Sequence, residues 1–178
     1  ARVRHIHDHV DGVLPDGTAY SANDPALLTW VHVAEADCFL RAHLRYKDAR
    51  LSLADQDRYF AEMAEVAMRL GADAVPASRA AVQAYLHEMR PALRCDGRTR
   101  EVRDALLHQP APNPLMRPLG DLNMRAAVDL LPPWARTLLE LRAGDGERLM
   151  ARAGAQGMGR LLRWALSGAT TEQRARAG

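Results

Sequence analysis

The fold is decided by residues 23–46, NDPALLTWVHVAEADCFLRAHLRY. The stretch opens with a helix start, since Asp24 is a favoured N-cap residue and Pro25 suits the first helical position. Apolar residues then follow at helical spacing in two stripes, one of Leu27, Val31, Ala34 and Cys38 and one of Leu28, His32 and Phe39. A helix that is apolar on so much of its circumference is predicted to be central to the fold.

The rest of the chain also favours helix. Alanine, leucine and arginine dominate, whereas Ile, Phe and Thr are scarce. Ser52 and Ser78 are predicted N-caps, Gly71 a helix end and Pro91 a stop. Further helices are predicted at 2–10, 99–108, 121–131, 133–143 and 146–166, with a proline-rich loop at 109–118, a frayed tail at 172–178 and no strand. We expect an all-α fold, a single globular multi-helix domain of seven or eight helices that spans residues 1–178.

Composition excludes several classes of protein. Hydrophobic residues make up 48% and charged residues 26% of the chain, which is typical of a soluble globular protein. The net charge of +2 comes from interspersed charges without a basic run, so no nucleic-acid partner is predicted. No apolar window approaches the roughly 18–20 residues of a membrane span, and no signal peptide is visible. The two cysteines fit no metal spacing, and a cytoplasmic location is expected.

The chain begins at Ala1 inside an apparently helical pattern, so we expect that its natural N-terminal segment is missing. Three histidines follow in the run RHIHDHV at 4–10. In a helix His7 shares a stripe with the apolar residues Val3, Ile6 and Val10, whereas His5 and His9 point to the opposite side. An inward imidazole is a hydrogen-bonded core residue, an iron or metal ligand, or a proton carrier. The pair His5 and His9 could chelate a surface ion, but no third ligand is near.

A second constellation lies in the central helix. His32 falls between apolar positions and is predicted to face inward, and Glu35 is placed to accept from an imidazole N–H. One interpretation is a buried histidine bonded to a carbonyl group. Another is a non-haem metal site of His7, His32 and Glu35. Tyr20 and Tyr59 are candidate hydrogen-bond donors to a ligand, and no phosphate loop, dinucleotide fingerprint or nucleophile elbow is present.

Several short motifs follow one another along the chain in a characteristic order. It runs Arg4-x-x-His7-x-x-Val10-x-Gly12, Gly17-x-x-Tyr20-Ser21-Ala22-x-Asp24-Pro25, Leu28-x-Trp30-Val31-His32, Leu53-x-x-x-Asp57-Arg58-Tyr59-x-x-Glu62, Leu70-Gly71, Pro76 and Leu131-Pro132-Pro133-Trp134. Over roughly residues 2–143 this order resembles the rubber-oxygenase (latex-clearing protein) and MpaB oxygenase family. The part from Tyr20 to His32 is the most specific.

The resemblance implies a haem-pocket fold in which haem b is held between helices. It implies that His7 is the axial ligand of the haem iron, that Arg4 meets a haem propionate or sets the polarity of the pocket, and that His32 lies nearby. Trp30, Glu35 and Tyr20 would then surround the site. The expected activity is that of an oxygenase that uses dioxygen on an apolar substrate such as an isoprenoid chain. The family's distal catalytic residues would lie upstream of Ala1.

The residues alone also allow a different function. The chain would be a non-catalytic helical module that binds an apolar ligand or a partner helix, and its histidines would then be structural. Function is decided by the site rather than by the fold.

Overall fold

The computed structural model describes residues 2–14, 16–109 and 113–176, without the side chains of 162 and 165–176. The chain is 72% helical, which confirms the all-α prediction. The described residues form eight α-helices and two short strands, in the order α1 (Arg2–His7), β1 (Asp11–Val13), β2 (Ala19–Ser21), α2 (Pro25–Tyr46), α3 (Leu53–Leu70), α4 (Arg79–Met89), α5 (Gly97–Leu107), α6 (Arg117–Leu130), α7 (Pro133–Leu138) and α8 (Asp145–Arg176). Short 3-10 turns follow α4 and precede α6.

Two compact units are distinguished, residues 1–93 and residues 94–178. Each is described by itself below. The prediction that the whole chain forms one domain stays a prediction.

In the first unit α2, α3 and α4 pack around an apolar core formed by Val33, Ala36, Leu40, Phe60, Val82 and Leu86. The predicted helix ends are confirmed. Asp24 accepts hydrogen bonds from the first free N–H groups of α2, and Ser52 and Ser78 do the same for α3 and α4. Gly71 ends α3 with a φ of 107°, in the left-handed region that favours glycine.

The prediction that the described chain contains no strand is wrong. Strands β1 and β2 form an antiparallel hairpin in which Gly12 is paired with Tyr20. The turn that joins them carries Gly17 at a φ of 88°, and Asp16 accepts a hydrogen bond from Thr18 N–H at 2.9 Å. The turn signals are visible in the sequence, but strands of three residues are too short to show an alternating pattern.

The buried face of α2 differs from both predicted stripes. Its buried residues are Leu28, Thr29, Val33, Ala36, Asp37 and Leu40. Val31 is instead 56% exposed, and Leu27 and Phe39 are exposed as well. The central position of α2 is confirmed, but the side that it turns to the core was predicted wrongly.

Two polar side chains on the core face of α2 explain that error. Thr29 Oγ1 donates to the carbonyl group of Asp73 at 2.7 Å and accepts from the N–H of Asp73 at 3.1 Å. The buried carboxylate of Asp37 accepts from Arg41 Nε at 2.6 Å and from Gln83 Nε2 at 2.9 Å. Because these groups are fully paired, their burial is not penalised as an unpaired polar group would be.

The second unit contains α5 to α8. Helix α6 begins at Arg117 rather than at residue 121, because Pro118 lies within its first turn, where proline is tolerated. Helix α7 ends at Leu138, short of the predicted residue 143, and Glu140 follows with a φ of 58°. Helix α8 continues through the predicted frayed tail as far as Arg176, and residues 177–178 lie outside the described part of the chain.

The contact of α6 with α8 depends on a glycine and an aspartate. A Cβ atom added at Gly154 would lie 2.7 Å from Leu122 Cδ1, so the two helices approach closely there. The side chain of Asp129 is 1% exposed and accepts from Arg148 Nε at 2.8 Å and from Arg152 Nε at 2.6 Å. Arg152 Nη2 donates to the same carboxylate at 2.9 Å, which makes this pair bidentate.

No helix among the described residues combines the length and the apolar character that crossing a membrane requires.

Candidate functional site

His7 is the last residue of α1 and is half-buried. Its Nδ1 atom is buried and has no hydrogen-bond partner among the described residues. The rest of α1 is open: it buries none of its residues, and Ile6 is 56% exposed. The prediction that Val3, Ile6 and Val10 form a core stripe is therefore wrong in this part of the chain, although the ring nitrogen that they accompany is buried.

The end of α1 lies next to the start of α2. Ala22 N–H donates to the carbonyl group of Val10 at 2.8 Å, and Asn23 Nδ2 donates to Asp8 Oδ1 at 2.7 Å. Since α1 has no core contacts of its own, these two bonds and the hairpin position His7. The candidate site thus depends on a short polar connection rather than on apolar packing.

The side chain of Tyr20 packs within the hairpin that joins α1 to α2. Its ring lies against Gly12, where an added Cβ atom would be 2.7 Å from Tyr20 Oη. A larger residue at that position would force the ring to move. Tyr20 is half-buried. Among the described residues it makes no hydrogen bond to His7 or His32.

His32 repeats the feature found at His7. It lies in the second turn of α2, is half-buried, and its Nδ1 atom is buried without a partner among the described residues. Trp30 is partly buried against the core of the first unit. Glu35 is exposed, so its carboxylate does not accept from the His32 ring as the sequence suggested.

The three-ligand metal site is not formed. Among the residues described, no group of three His, Cys, Asp or Glu side chains could hold a metal ion, and this includes His7, His32 and Glu35. That alternative is wrong for the arrangement seen. An axial ligand of haem is a single imidazole, so the absence of a three-residue group among the described residues does not bear on the haem prediction.

The remaining residues of the N-terminal cluster are at the surface. His5 and His9 are exposed, as predicted, with ring centroids 5.0 Å apart and His9 Nδ1 2.8 Å from the carbonyl oxygen of His5. Arg4 is exposed, and its side chain has no hydrogen-bond or ion-pair partner within the described chain. Arg4 is therefore available to pair with an anionic group.

Tyr59 is committed to the protein rather than to a ligand. Its hydroxyl donates to the carbonyl group of Ala36 at 3.2 Å. Burial raises the pKa of Tyr59, and the carboxylates of Glu35 and Asp37 raise it further. The phenol thus stays a neutral donor, and it lines a groove of about 400 Å³ whose other walls are Phe39, Leu40, His43, Leu51, Asp55, Arg58 and Glu62.

The two cysteines, Cys38 and Cys95, are free and half-buried. Burial, followed by the charge of Asp37, raises the pKa of the Cys38 thiol, so it stays protonated. Cys38 is therefore not a candidate nucleophile.

The larger cleft lies in the second unit, and nothing in the sequence predicted it. Its volume is about 1150 Å³, and its walls come from α5, α6, α7, α8 and the loop between α7 and α8. Arginine side chains are spread over all of these elements, so no single run of sequence reveals them. The cleft contains none of the residues predicted for the site.

Comparison with known proteins gives one match. The profile of the family described as ER-bound oxygenase mpaB/B'/rubber oxygenase, catalytic domain, matches residues 1–164. Neither the curated proteins nor the solved structures gave a significant match.

Proposed function

The chain belongs to the mpaB and rubber oxygenase catalytic-domain family, and from that premise we propose that it is an oxygenase that binds haem b through His7 and acts with dioxygen on an apolar substrate. An isoprenoid chain is the substrate class that we favour.

The observation that carries the proposal is the unpaired imidazole of His7. A buried polar atom without a partner is rare in folded proteins and calls for an explanation, such as an ion or ligand that completes it. Nδ1 of His7 is such an atom, and the helix that carries it exposes Val3 and Ile6 instead of burying them. An available imidazole nitrogen beside apolar side chains is the donor set that a haem requires.

Other residues of the first unit would fit the same group. Arg4 carries an unpaired guanidinium one helical turn before His7, where it could hold a carboxylate such as a propionate. Leu27 and Val31 are exposed on one face of α2 and would exclude water from an apolar ligand. Bound haem would supply the redox-active iron that dioxygen chemistry requires.

His32 has a different proposed part. It also has a buried, unpaired Nδ1 atom, but it belongs to a 22-residue helix that is anchored in the core. We assign it to the wall of the pocket, where its ring would donate to or accept from a bound polar group and hold a proton there. The two histidines are thus predicted to differ in their effect on iron.

The test is haem reconstitution of the full chain, followed by absorption spectroscopy. The wild type is expected to develop a Soret band, and His7→Ala to lose it or to shift it by loss of the axial ligand. His32→Ala should keep a ligand-type spectrum with a smaller change, and His108→Ala, an exposed histidine of the second unit, should match the wild type. Circular dichroism of each variant controls for folding.

A Soret band that is the same in His7→Ala and in the wild type would exclude His7 as the ligand. If His32→Ala alone loses the band, the ligand assignment moves to α2. If no variant and no wild-type preparation binds haem, the haem proposal fails.

The exposed apolar faces favour a second candidate function. Val3 and Ile6 on α1 and Leu27 and Val31 on α2 would also suit a non-catalytic module that binds an apolar ligand. Such a module binds an apolar probe equally well with and without haem and shows no oxygen uptake with any apolar alkene. Oxygen consumption that requires both haem and the alkene would exclude it.

A further inference from the structure

The cleft of the second unit is rich in arginine. Its walls include six arginines, contributed by five parts of the chain, and they are Arg103, Arg117, Arg125, Arg136, Arg142 and Arg148. Between them lie apolar side chains, among which are Leu107, Met124, Val128 and Leu141. The cleft of about 1150 Å³ is slightly larger than the usual range of small-molecule sites, which is roughly 300–1000 Å³.

Most of the acidic side chains in the cleft are already neutralised. Asp129 is bound by Arg148 and Arg152, as described above. Glu140 accepts from Arg100 Nη2 at 2.8 Å and from Arg103 Nη1 at 3.3 Å. Asp104 accepts from Arg103 Nε at 2.7 Å, and this bond lowers the pKa of Asp104. These carboxylates therefore leave little negative charge to oppose a bound anion.

Three of the arginines remain available. Arg117, Arg125 and Arg142 are exposed to the cleft and have no hydrogen-bond or ion-pair partner within the part of the chain that the structure describes. Two acids are left to balance them. Glu147 Oε2 accepts from Gly144 N–H at 3.3 Å, and Asp121 lies between Arg117 and Arg125 on α6, four residues from each.

The backbone adds to the positive potential. Gly144, Glu147 and Arg148 line the cleft at the start of α8, so the N-terminus of a 32-residue helix opens toward it. The free N–H groups of such an end favour negative charge. Guanidinium groups bind carboxylate and phosphate oxygens in pairs, which gives the site its geometry.

We propose that this cleft binds a small organic anion, with a carboxylate or phosphate group on Arg117, Arg125 and Arg142 and an apolar body against the leucine, methionine and valine side chains. Both headgroups present the oxygen pairs that a guanidinium fits. The site lies wholly in the second unit, and it does not rest on the proposed haem function of His7.

The test is isothermal titration of the full chain with octyl phosphate, octanoate and octanol at low ionic strength. Octyl phosphate or octanoate should bind at least tenfold more tightly than octanol. The anion that binds more tightly identifies the preferred headgroup. The double variant Arg125→Gln with Arg142→Gln should weaken that anion at least tenfold. Asp121→Asn should tighten it several-fold, because it removes an unpaired carboxylate one helical turn from both Arg117 and Arg125.

The matched control removes the same charge elsewhere in the unit. Arg98→Gln with Arg160→Gln changes two exposed arginines outside the cleft and should leave the affinity within twofold of the wild type. Circular dichroism spectra must match for all variants. Equal affinity for octanol and both anions, equal losses in the control and the cleft variant, or no binding of either anion would each overturn the proposal.

Discussion

The two compact units of this chain bury different kinds of side chain. In the first, large apolar residues such as Phe60, which is 1% exposed, fill the core, and the buried polar residues Thr29, Asp37 and Gln56 lie beside them. In the second, the buried residues among those described are three alanines, Ala126, Ala135 and Ala151, and one aspartate, Asp129. The first unit is thus stabilised mainly by apolar burial, and the second depends far more on close helix contact and on one buried ion cluster.

The two units should respond differently to substitutions in their interiors. Apolar packing tolerates small changes of shape, because neighbouring side chains rearrange to fill part of the space. A buried carboxylate paired with two arginines tolerates substitution less well, because removing one charged partner leaves the others without their counter-charge. The first unit also buries a paired carboxylate, Asp37, but beside a large apolar core. We therefore expect a single polar change at Asp129 to remove a larger share of the stability of its unit than a polar change in the first unit does.

The largest effect is expected from Phe60→Ala. Removal of this buried ring leaves a cavity in the first unit and should cost about 4 kcal/mol of the free energy of unfolding. Hydrogen exchange measured by mass spectrometry should show faster exchange in peptides of α2, α3 and α4. Val66→Ala on the same helix removes an exposed side chain and should cost far less. Similar losses for the two variants would contradict an apolar core centred on Phe60.

Asp129→Asn should have the next largest effect, about 2 kcal/mol, because two partly exposed arginines lose their charged acceptor while the shape of the side chain is kept. The loss should be confined to exchange in peptides of α6 and α8. Asp145→Asn is the matched control, since Asp145 also contacts Arg148, at 3.2 Å, but is fully exposed at the surface. If Asp129→Asn is as stable as the control, the ion cluster does not hold the second unit together.

The smallest effect concerns pH. Hydrogen bonds from Arg100, and further ones from Arg103, lower the pKa of Glu140 from its usual 4.5 to about 2. A carboxyl whose pKa is lowered on folding stabilises the folded state above its unfolded pKa and loses that contribution as the pH falls through the folded value. Glu140→Gln should therefore flatten the acid dependence of unfolding of the second unit between about pH 4.5 and about pH 2.

Glu140 is exposed, so this contribution is small and should shrink with added salt. Glu101→Gln, which removes an exposed carboxylate of α5 without a partner among the described residues, should leave the acid profile unchanged. An acid profile of Glu140→Gln identical to that of the wild type would exclude the arginine pair as its cause.

The sequence predicted the helices better than their faces. The starts at Asp24, Ser52 and Ser78 and the end at Gly71 are correct because each depends on one side chain or one φ value close to its own backbone. The late start predicted for α6 is wrong, because proline breaks a helix in its interior but is tolerated in a first helical turn.

The candidate site was found from the sequence only in part. Helical phase predicts that His7 and His32 face inward, and each has a buried ring nitrogen, although Leu28 is the one buried residue among the apolar residues Val3, Ile6, Val10, Leu28 and Phe39 that were expected to flank them. Whether they bind haem stays a prediction. The arginine cleft was missed because its walls are separated by up to 48 residues, from Arg103 to Ala151, and no local pattern joins them.

The sequence by itself determined that this is a helical protein, where most of its helices begin and end, and which family it resembles, because caps, breakers and motif order are local properties of the chain. Only the tertiary structure decided which side of α2 is buried and where the arginines of the second unit meet. Thr29 and Asp37 can lie in the core because Asp73 and Gln83 reach them from other elements. Whether a polar side chain can be buried is decided by partners that are distant in sequence, and a local pattern does not contain them.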